Sequence, residues 1–535
     1  MTLDRNSSQP RRADRSAWLA RLGVLTLLVA ATAASATENS AGFIGPPAPV
    51  AAPVEFEVGE TLMLPRQSGV SLVLEPREDA LMFVEYGTGG GSFEHATPVE
   101  TVLARHGARF ELDGLKAGGS YAYRVLCKPS ALHGPFVPRD EHAFRTLPSP
   151  GAVFSFAYTT DSHAYAQWAQ DAFSGSGQGD ASYELLQKGL GNLAVDDLHF
   201  FVIGGDWAML DAQGAKGGTV DGVVYPPGVI ADLATARQRY RKIFSTEIYG
   251  QVTPSLPFIY VLGNHEGEEG FVEGIDSCES YEPEVKAWGE TARLSLLDNP
   301  GLIYGGDRHG RYYSFDAGDA LVVVIDVMGE QNVLPESAED WSLSLKQYTW
   351  LESVISASTQ KWKFVFAEHF AGGEGGPTSE GACYYYGRGS IKATDTNKIT
   401  GDLKGGVYGQ GAIQSLLAAN LAPGGAAFFC SGHDHVAMGP NEKPDKDGTG
   451  TRVFYTTGGT FGAGAPWTVD ESFQKEMDLD GDSKADFYSD VNGSIKRGYF
   501  RITVNGPQSV SFAYVQSSTD AGNDRIVYSK TILAD

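Results

Sequence analysis

The chain has 535 residues, 42% of them hydrophobic and 20% charged, which favours more than one domain and permits a large core. Its formal charge of −25 argues against nucleic acid and anionic membrane surfaces as partners, because such a field repels both. An anionic substrate must then be drawn in by a local cationic centre.

Residues 1–36 read as a cleaved signal peptide. Arg11, Arg12, Arg15 and Arg21 precede an apolar run over 22–34, and Ala34-Ser35-Ala36 offers a small-residue cleavage site. The run is too short to span a bilayer, and no other stretch is apolar for long enough. Removing the five Arg and two Asp of this segment takes the charge from −25 to −28, so an acidic secreted or periplasmic protein is expected. Arg11-Arg12 raises a twin-arginine route, although Asp14 stands where such signals usually carry an apolar residue. Residues 37–53, rich in Pro and Ala, read as a linker.

From 54 to 147 the pattern is short strands and turns, with strands predicted over 80–86, 108–112 and 120–125. The stretch from Leu112-Asp113-Gly114-Leu115 to Tyr121-Ala122-Tyr123-Arg124-Val125 resembles a fibronectin type III sandwich. Together with Val84-Glu85-Tyr86-Gly87 and Phe144-Arg145-Thr146, it is similar to the N-terminal domain of purple acid phosphatases. His95, His106, His133 and His142 have no ligand spacing and read as surface or turn residues.

After the short linker at Leu147-Pro148-Ser149-Pro150-Gly151, an α/β pattern begins. Helical periodicity over 182–194, 230–246, 345–356 and 412–421 alternates with apolar strands. Strands are also predicted over 311–316, 321–326, 499–504, 510–515 and 526–528. Five apolar runs end in polar residues of one chemistry. Residues 155–158 lead to Asp161-Ser162-His163, 200–203 to Gly204-Gly205-Asp206, and 257–262 to Gly263-Asn264-His265-Glu266. Residues 363–366 lead to Glu368-His369, and 427–430 to Gly432-His433-Asp434-His435. Ligand sites of open α/β sheets collect outside the carboxyl ends of strands, so this pattern describes a metal cluster. On extended backbone Asp161 and His163 point the same way, as do His433 and His435, with Cβ atoms roughly 6–7 Å apart. Gly-rich residues 210–228 and 370–410 are long for loops and are expected to overhang the site.

The ordered set Asp-x-His, Gly-Asp, Gly-Asn-His-Glu, His and Gly-His-x-His resembles the calcineurin-like metallophosphoesterase superfamily, close to its purple acid phosphatase group. The resemblance implies a four-layer α/β sandwich over 151–535, two mixed β-sheets flanked by helices, behind the all-β domain at 54–147. It places Asp161, His163, Asp206 and His435 on one metal, and Asn264, His369 and His433 on the other, with Asp206 bridging. Two divalent ions (Zn, Fe or Mn) against two Asp leave a net +2, which favours hydroxide and phosphate oxygen. The implied reaction is in-line hydrolysis of a small phosphomonoester by the bridging hydroxide. His265 would protonate the leaving group or contact the phosphate. The alternatives are a phosphodiesterase or nucleotidase of the same superfamily, and a calcium-dependent surface binding protein on an inactive scaffold. His199 and His309 fall outside the pattern and read as structural. Asp434 reads equally as an imidazole partner or a loop carboxylate.

Cys127 and Cys430 lie in apolar strands and read as buried free thiols, whereas Cys278 and Cys383 lie in polar loops and form the candidate disulfide. Asp478, Asp480, Asp482 and Asp486 resemble a calcium loop, with Ser483 replacing the usual Gly and Ser489 at the twelfth position. Purple acid phosphatases carry a tyrosinate three residues after the Gly-Asp aspartate. Here that residue is Met209, and His163 stands where those enzymes have Gly. A colourless enzyme with two divalent ions and a neutral to alkaline optimum is the expectation.

Overall fold

Apolar runs bounded by Gly, Pro and polar turns become the central strands of two mixed sheets in the computed structural model. The structure describes residues 53–166, 168–169, 182–210, 217–268, 270–273, 278–327, 343–368, 410–432, 437–444, 450–460, 497–517 and 525–535. Across the nine-stranded sheet the order is Arg525–Leu533, Ser509–Gln516, Gly498–Asn505, Val153–Thr159, Phe201–Ile203, Phe258–Tyr260, Phe56–Arg66, Gly69–Pro76 and Ala108–Leu112. The strands from Val153–Thr159 through Phe56–Arg66 run parallel, and the outer ones antiparallel. A six-stranded sheet has the order Tyr313–Ala317, Ala320–Val324, Trp362–Phe366, Ala426–Ser431, Gly450–Gly458 and Ala437–Pro444. Its four inner strands are parallel and both edge strands antiparallel.

Aromatic side chains fill the space between these sheets. Phe156 stacks on Phe200 with ring centroids 4.9 Å apart and meets Phe364 edge-on at 5.3 Å, while Phe364 stacks on Phe428 at 4.9 Å. Such pairs add about 0.5–1.5 kcal/mol each beyond the area they bury. On the other face of the nine-stranded sheet lie the helices Ser182–Val195, Leu233–Ile243 and Pro283–Leu296, around a core that includes Trp207, Tyr240, Phe244 and Leu296. Leu345–Ala357 and Gln410–Ala419 pack together beside the second sheet, where the Tyr455 hydroxyl and Gln414 Oε1 are 3.1 Å apart. Two mixed sheets with helices outside them match the expected fold class.

The N-terminal strands serve two cores at once. Side chains alternate across a strand, so Leu62, Leu72 and Leu74 enter a β-sandwich core with Val84, Tyr123 and Phe144. Met63 and Val73 point the other way, into the helix-side core, and Leu64 joins them where a positive φ of 50° breaks the alternation. The sandwich's second sheet is built on Ala80–Gly87 paired with Ser120–Pro129. Sheet pairing therefore continues from residues 56–112 into the α/β part, through Met63 opposite Phe258.

Most expected elements appear within a few residues of their predicted bounds. The helix predicted over 230–246 is shorter, Leu233–Ile243, because the Asp232 carboxylate accepts the Thr235 N–H at 2.8 Å and fixes its start. Within 210–228 a small hairpin forms from Gly218–Val220 and Val223–Tyr225. Residues 1–36, most of the 370–410 stretch, Cys383 and the acidic loop at 478–486 lie outside the described residues. Cys278 opens a short strand, and Cys127 and Cys430 are buried free thiols. Among the described residues no helix is long and apolar enough to cross a membrane.

Candidate metal centre

Three neighbouring parallel strands, Val153–Thr159, Phe201–Ile203 and Phe258–Tyr260, stop in step. The chain then turns sharply. Asp161, His163, Asp206 and Met209 all have positive φ, at 46°, 44°, 51° and 53°. Such backbone costs of order 1–3 kcal/mol per non-glycine residue, and a cluster of it marks a functional site. Asp161 and His163 are thus not on extended backbone, contrary to the simple alternation argument. They lie past the last strand residue, in a turn held from neighbouring loops. Asp161 N–H donates to Gly205 O at 3.1 Å, and His163 N–H to Asp206 O at 2.9 Å. Leu210 N–H reaches His265 O at 2.7 Å, and the Thr460 hydroxyl donates to Asp161 O.

Asp206 is central to this web. It is 1% exposed, and its Oδ1 accepts the backbone N–H of His265 at 2.9 Å. Its Oδ2 lies 3.7 Å from His163 Nε2 and 3.9 Å from His265 Nε2, and the two imidazoles meet edge-on at 5.0 Å. Asn264 is buried in the 3-10 turn Asn264–Glu266, immediately after Gly263. A Cβ on Gly263 would stand 2.3 Å from Asp206 Oδ1, so only glycine lets these loops approach. Two groups have one donor atom from each member within 4.8 Å of the others. They are His163, Asp206 and His265, and Asp161, Asp206 and Glu368. Asp206 belongs to both. His369, His433 and His435, the remaining expected ligands, lie outside the described residues, as does Asp434.

Two carboxylates with no role in the sequence reading do much of the positioning. Glu266, fully buried, accepts backbone N–H groups from Asp206, Trp207, Ala208 and Gly263, at 3.0, 2.8, 2.9 and 2.5 Å. It ties the Gly-Asp loop to the Gly-Asn-His-Glu loop. Burial first, and then the Asp206 charge, push its pKa up to about 8, against the pull of the Ala208, Gly263 and Trp207 N–H groups. Glu368 is 1% exposed, and burial with the charges of Asp161, Asp206 and Glu266 raises its pKa well above the carboxylate range. Glu266 could have been found as a carboxylate three residues after a Gly that needs its N–H satisfied. Glu368 could have been found from its place beside His369 at a strand end.

The donor chemistry fits divalent ions. Asp161, Asp206, Glu266 and Glu368 are all buried, and donor oxygens of Asp161, Asp206 and Glu368 lie within 4.8 Å of one another. Buried like charges at this spacing need a counter-charge or a proton. Imidazole with carboxylate is a ligand set that suits zinc, iron or manganese.

The sequence over residues 154–437, just over half of the chain, matches the family model of calcineurin-like phosphoesterases. The chain belongs to the calcineurin-like phosphoesterase family. It is accordingly a metal-dependent phosphoric ester hydrolase. Among solved structures it is similar to PhoD, with TM-score 0.60, 15% identity, and coverage of 91% of this chain and 94% of that one. It is also similar to the purple acid phosphatase PPD1 from yellow lupin (Lupinus luteus) seeds, with TM-score 0.55, 14% identity, and coverage of 89% and 74%. At these identities the likeness is one of fold. No curated protein matches the sequence.

Other residues of the reading find structural places. Met209 is 5% exposed and joins the helix-side apolar core with Trp207 and Leu210. His199 meets the Phe154 ring edge-on at 5.9 Å, and His309 pairs with Glu290. His95 stacks on Tyr86, and His142 tilts over Tyr123.

Proposed function

We propose that this protein is an exported phosphomonoesterase whose two-metal centre is organised about Asp206. The observation that carries the reading is the membership of Asp206 in both donor groups, with its Oδ1 held by the His265 N–H. Asp161, His163, Asp206 and Asn264, with His369, His433 and His435, would hold two divalent ions. When bound, these ions supply an activated water and neutralise charge on the phosphoryl oxygens. Asp206 suits a shared position because a carboxylate has lone pairs for two cations, whereas a neutral imidazole has one. His265 is 12% exposed and keeps its side chain at the rim of the buried carboxylates. There it can donate a proton to a departing alkoxide or bind a phosphate oxygen. The strained turns at Asp161, His163 and Asp206 keep these groups in place before substrate arrives. Export through the segment at 1–36, a structural calcium at 478–486 and a Cys278–Cys383 disulfide belong to the same proposal.

A panel of aryl and alkyl phosphomonoesters, diesters and nucleotides, assayed with defined Mn²⁺ or Zn²⁺, tests it. Monoester hydrolysis with the highest kcat/KM supports the reading. A preference for diesters or for 5′-nucleotides over simple monoesters would replace it with the phosphodiesterase or nucleotidase reading.

A further inference from the structure

The carboxylate of Glu368 has no counterpart in the ligand set drawn from the sequence, yet the fold is shaped around it. A Cβ on Gly205 would fall 2.2 Å from Glu368 Oε2, one on Gly432 2.4 Å from the same atom, and one on Gly263 3.0 Å from its Cγ. Glycines at three different strand ends therefore leave room for Glu368, Gly432 for Thr160 Oγ1 as well and Gly263 first of all for Asp206 Oδ1. The Thr160 hydroxyl faces both Asp161 Oδ2, at 2.7 Å, and Glu368 Oε2, at 3.2 Å. It has only one proton to share between them. Glu368 Oε1 is buried and has no hydrogen-bond partner among the described residues. Carboxylate oxygens of Asp161, Asp206 and Glu368 gather within 4.8 Å of one another. A buried oxygen without a hydrogen-bond partner, on a carboxylate that belongs to such a group, fits a cation ligand better than a packing residue.

We infer that Glu368 is a third carboxylate of the metal centre, acting with Asp161 and Asp206 on one cation and biasing that position toward an oxygen-preferring ion such as Mn²⁺ over Zn²⁺. The inference rests on the two-metal reading above. A third oxygen donor also adds negative charge, which favours the harder ion at that position.

Titration calorimetry of metal-stripped protein with Mn²⁺, paired with dialysis against equal Mn²⁺ and Zn²⁺ and elemental analysis, tests it. Wild type should bind two Mn²⁺. Glu368→Gln keeps the size of the side chain and removes its charge. It should weaken one of the two Mn²⁺ sites at least about tenfold, leave the other unchanged and move the bound metal toward zinc. The melting temperature of the metal-free variant should hold or rise, because the amide fills the same space and can add no charge beside Asp161 and Asp206. Glu368→Asp, which keeps the charge but shortens the side chain, should weaken the same site less. Two Mn²⁺ sites of wild-type affinity in Glu368→Gln would overturn the inference while leaving the two-metal reading intact. So would a fall in metal-free melting temperature without a change in affinity, the mark of a purely structural residue. A wild-type protein that binds no metal would overturn both.

Discussion

At the scale of single residues, Asp206 and Glu266 divide the work between chemistry and position. Asp206→Asn leaves the side-chain volume and removes the charge shared by both donor groups. It should cost roughly 10³-fold or more in kcat and lower the metal content, with the circular dichroism spectrum unchanged. His265→Ala should keep both metals and lose about 10²–10⁴-fold in kcat, most for alkyl leaving groups. Metal loss matching that of Asp206→Asn would make His265 a ligand instead, a role its 3.9 Å distance to Asp206 Oδ2 also permits. Glu266→Ala strands four buried backbone N–H groups and should cost about 3 kcal/mol or more in denaturant unfolding. Asp161, His163, Asp206 and His265 could be picked out in the sequence from their chemistry at strand ends, and the structure brings them together. The work of Glu266 and Glu368 was not legible there, since it consists of contacts between strand ends distant in the chain. The positive φ of Asp161 and His163 was also hidden, because local spacing cannot reveal a turn imposed by the neighbouring Gly205 and Asp206 carbonyls.

At the scale of elements, the site depends on a helix that hydrophobic periodicity does not reveal. Pro283–Leu296 buries Val285, Gly289, Ala292, Arg293 and Leu296, a face too small and too polar to read as amphipathic. Arg293 is fully buried. Its guanidinium makes two bonds to Glu268, at 2.5 and 2.8 Å, and also reaches Tyr260 Oη and His309 O. Glu268 lies two residues after the Asn264–Glu266 turn, so this ion pair anchors the loop that carries Asn264 and His265. Arg293→Met should destabilise the fold by about 3–5 kcal/mol, because it leaves Glu268 buried without its partner. The double substitution with Glu268→Gln should recover part of that loss. No recovery in urea titration would show that the stranded Glu268 charge is not the cause of the loss. The helices that were legible bury aliphatic rows, Leu186, Leu190 and Leu193 in Ser182–Val195, and Leu351 and Ile355 beside Gln347 in Leu345–Ala357.

At the scale of the whole molecule, the strands Phe56–Arg66 and Gly69–Pro76 make the N-terminal segment part of the main sheet as well as of a sandwich. A chain beginning at residue 148 would expose the edge of Phe258–Tyr260 and lose Met63, Leu64 and Val73 from the helix-side core. It should be aggregated or unfolded in gel filtration and circular dichroism; a soluble, cooperatively folded product would show the segment to be dispensable. The sandwich-like pattern of 54–147 was legible because its strands alternate. The shared sheet was not, because nothing local to residues 56–66 tells that Met63 pairs with Phe258. The buried position of Met209 in the apolar core gives no phenolate to that turn, so metal-loaded protein should lack an intense visible charge-transfer band.

The most direct measurement is anomalous diffraction at the manganese edge from crystals soaked in Mn²⁺. Two peaks about 3.5–4 Å apart, with the Asp206 carboxylate between them, are the predicted result. A single peak, or peaks that do not share Asp206, would contradict a two-metal centre organised about that residue.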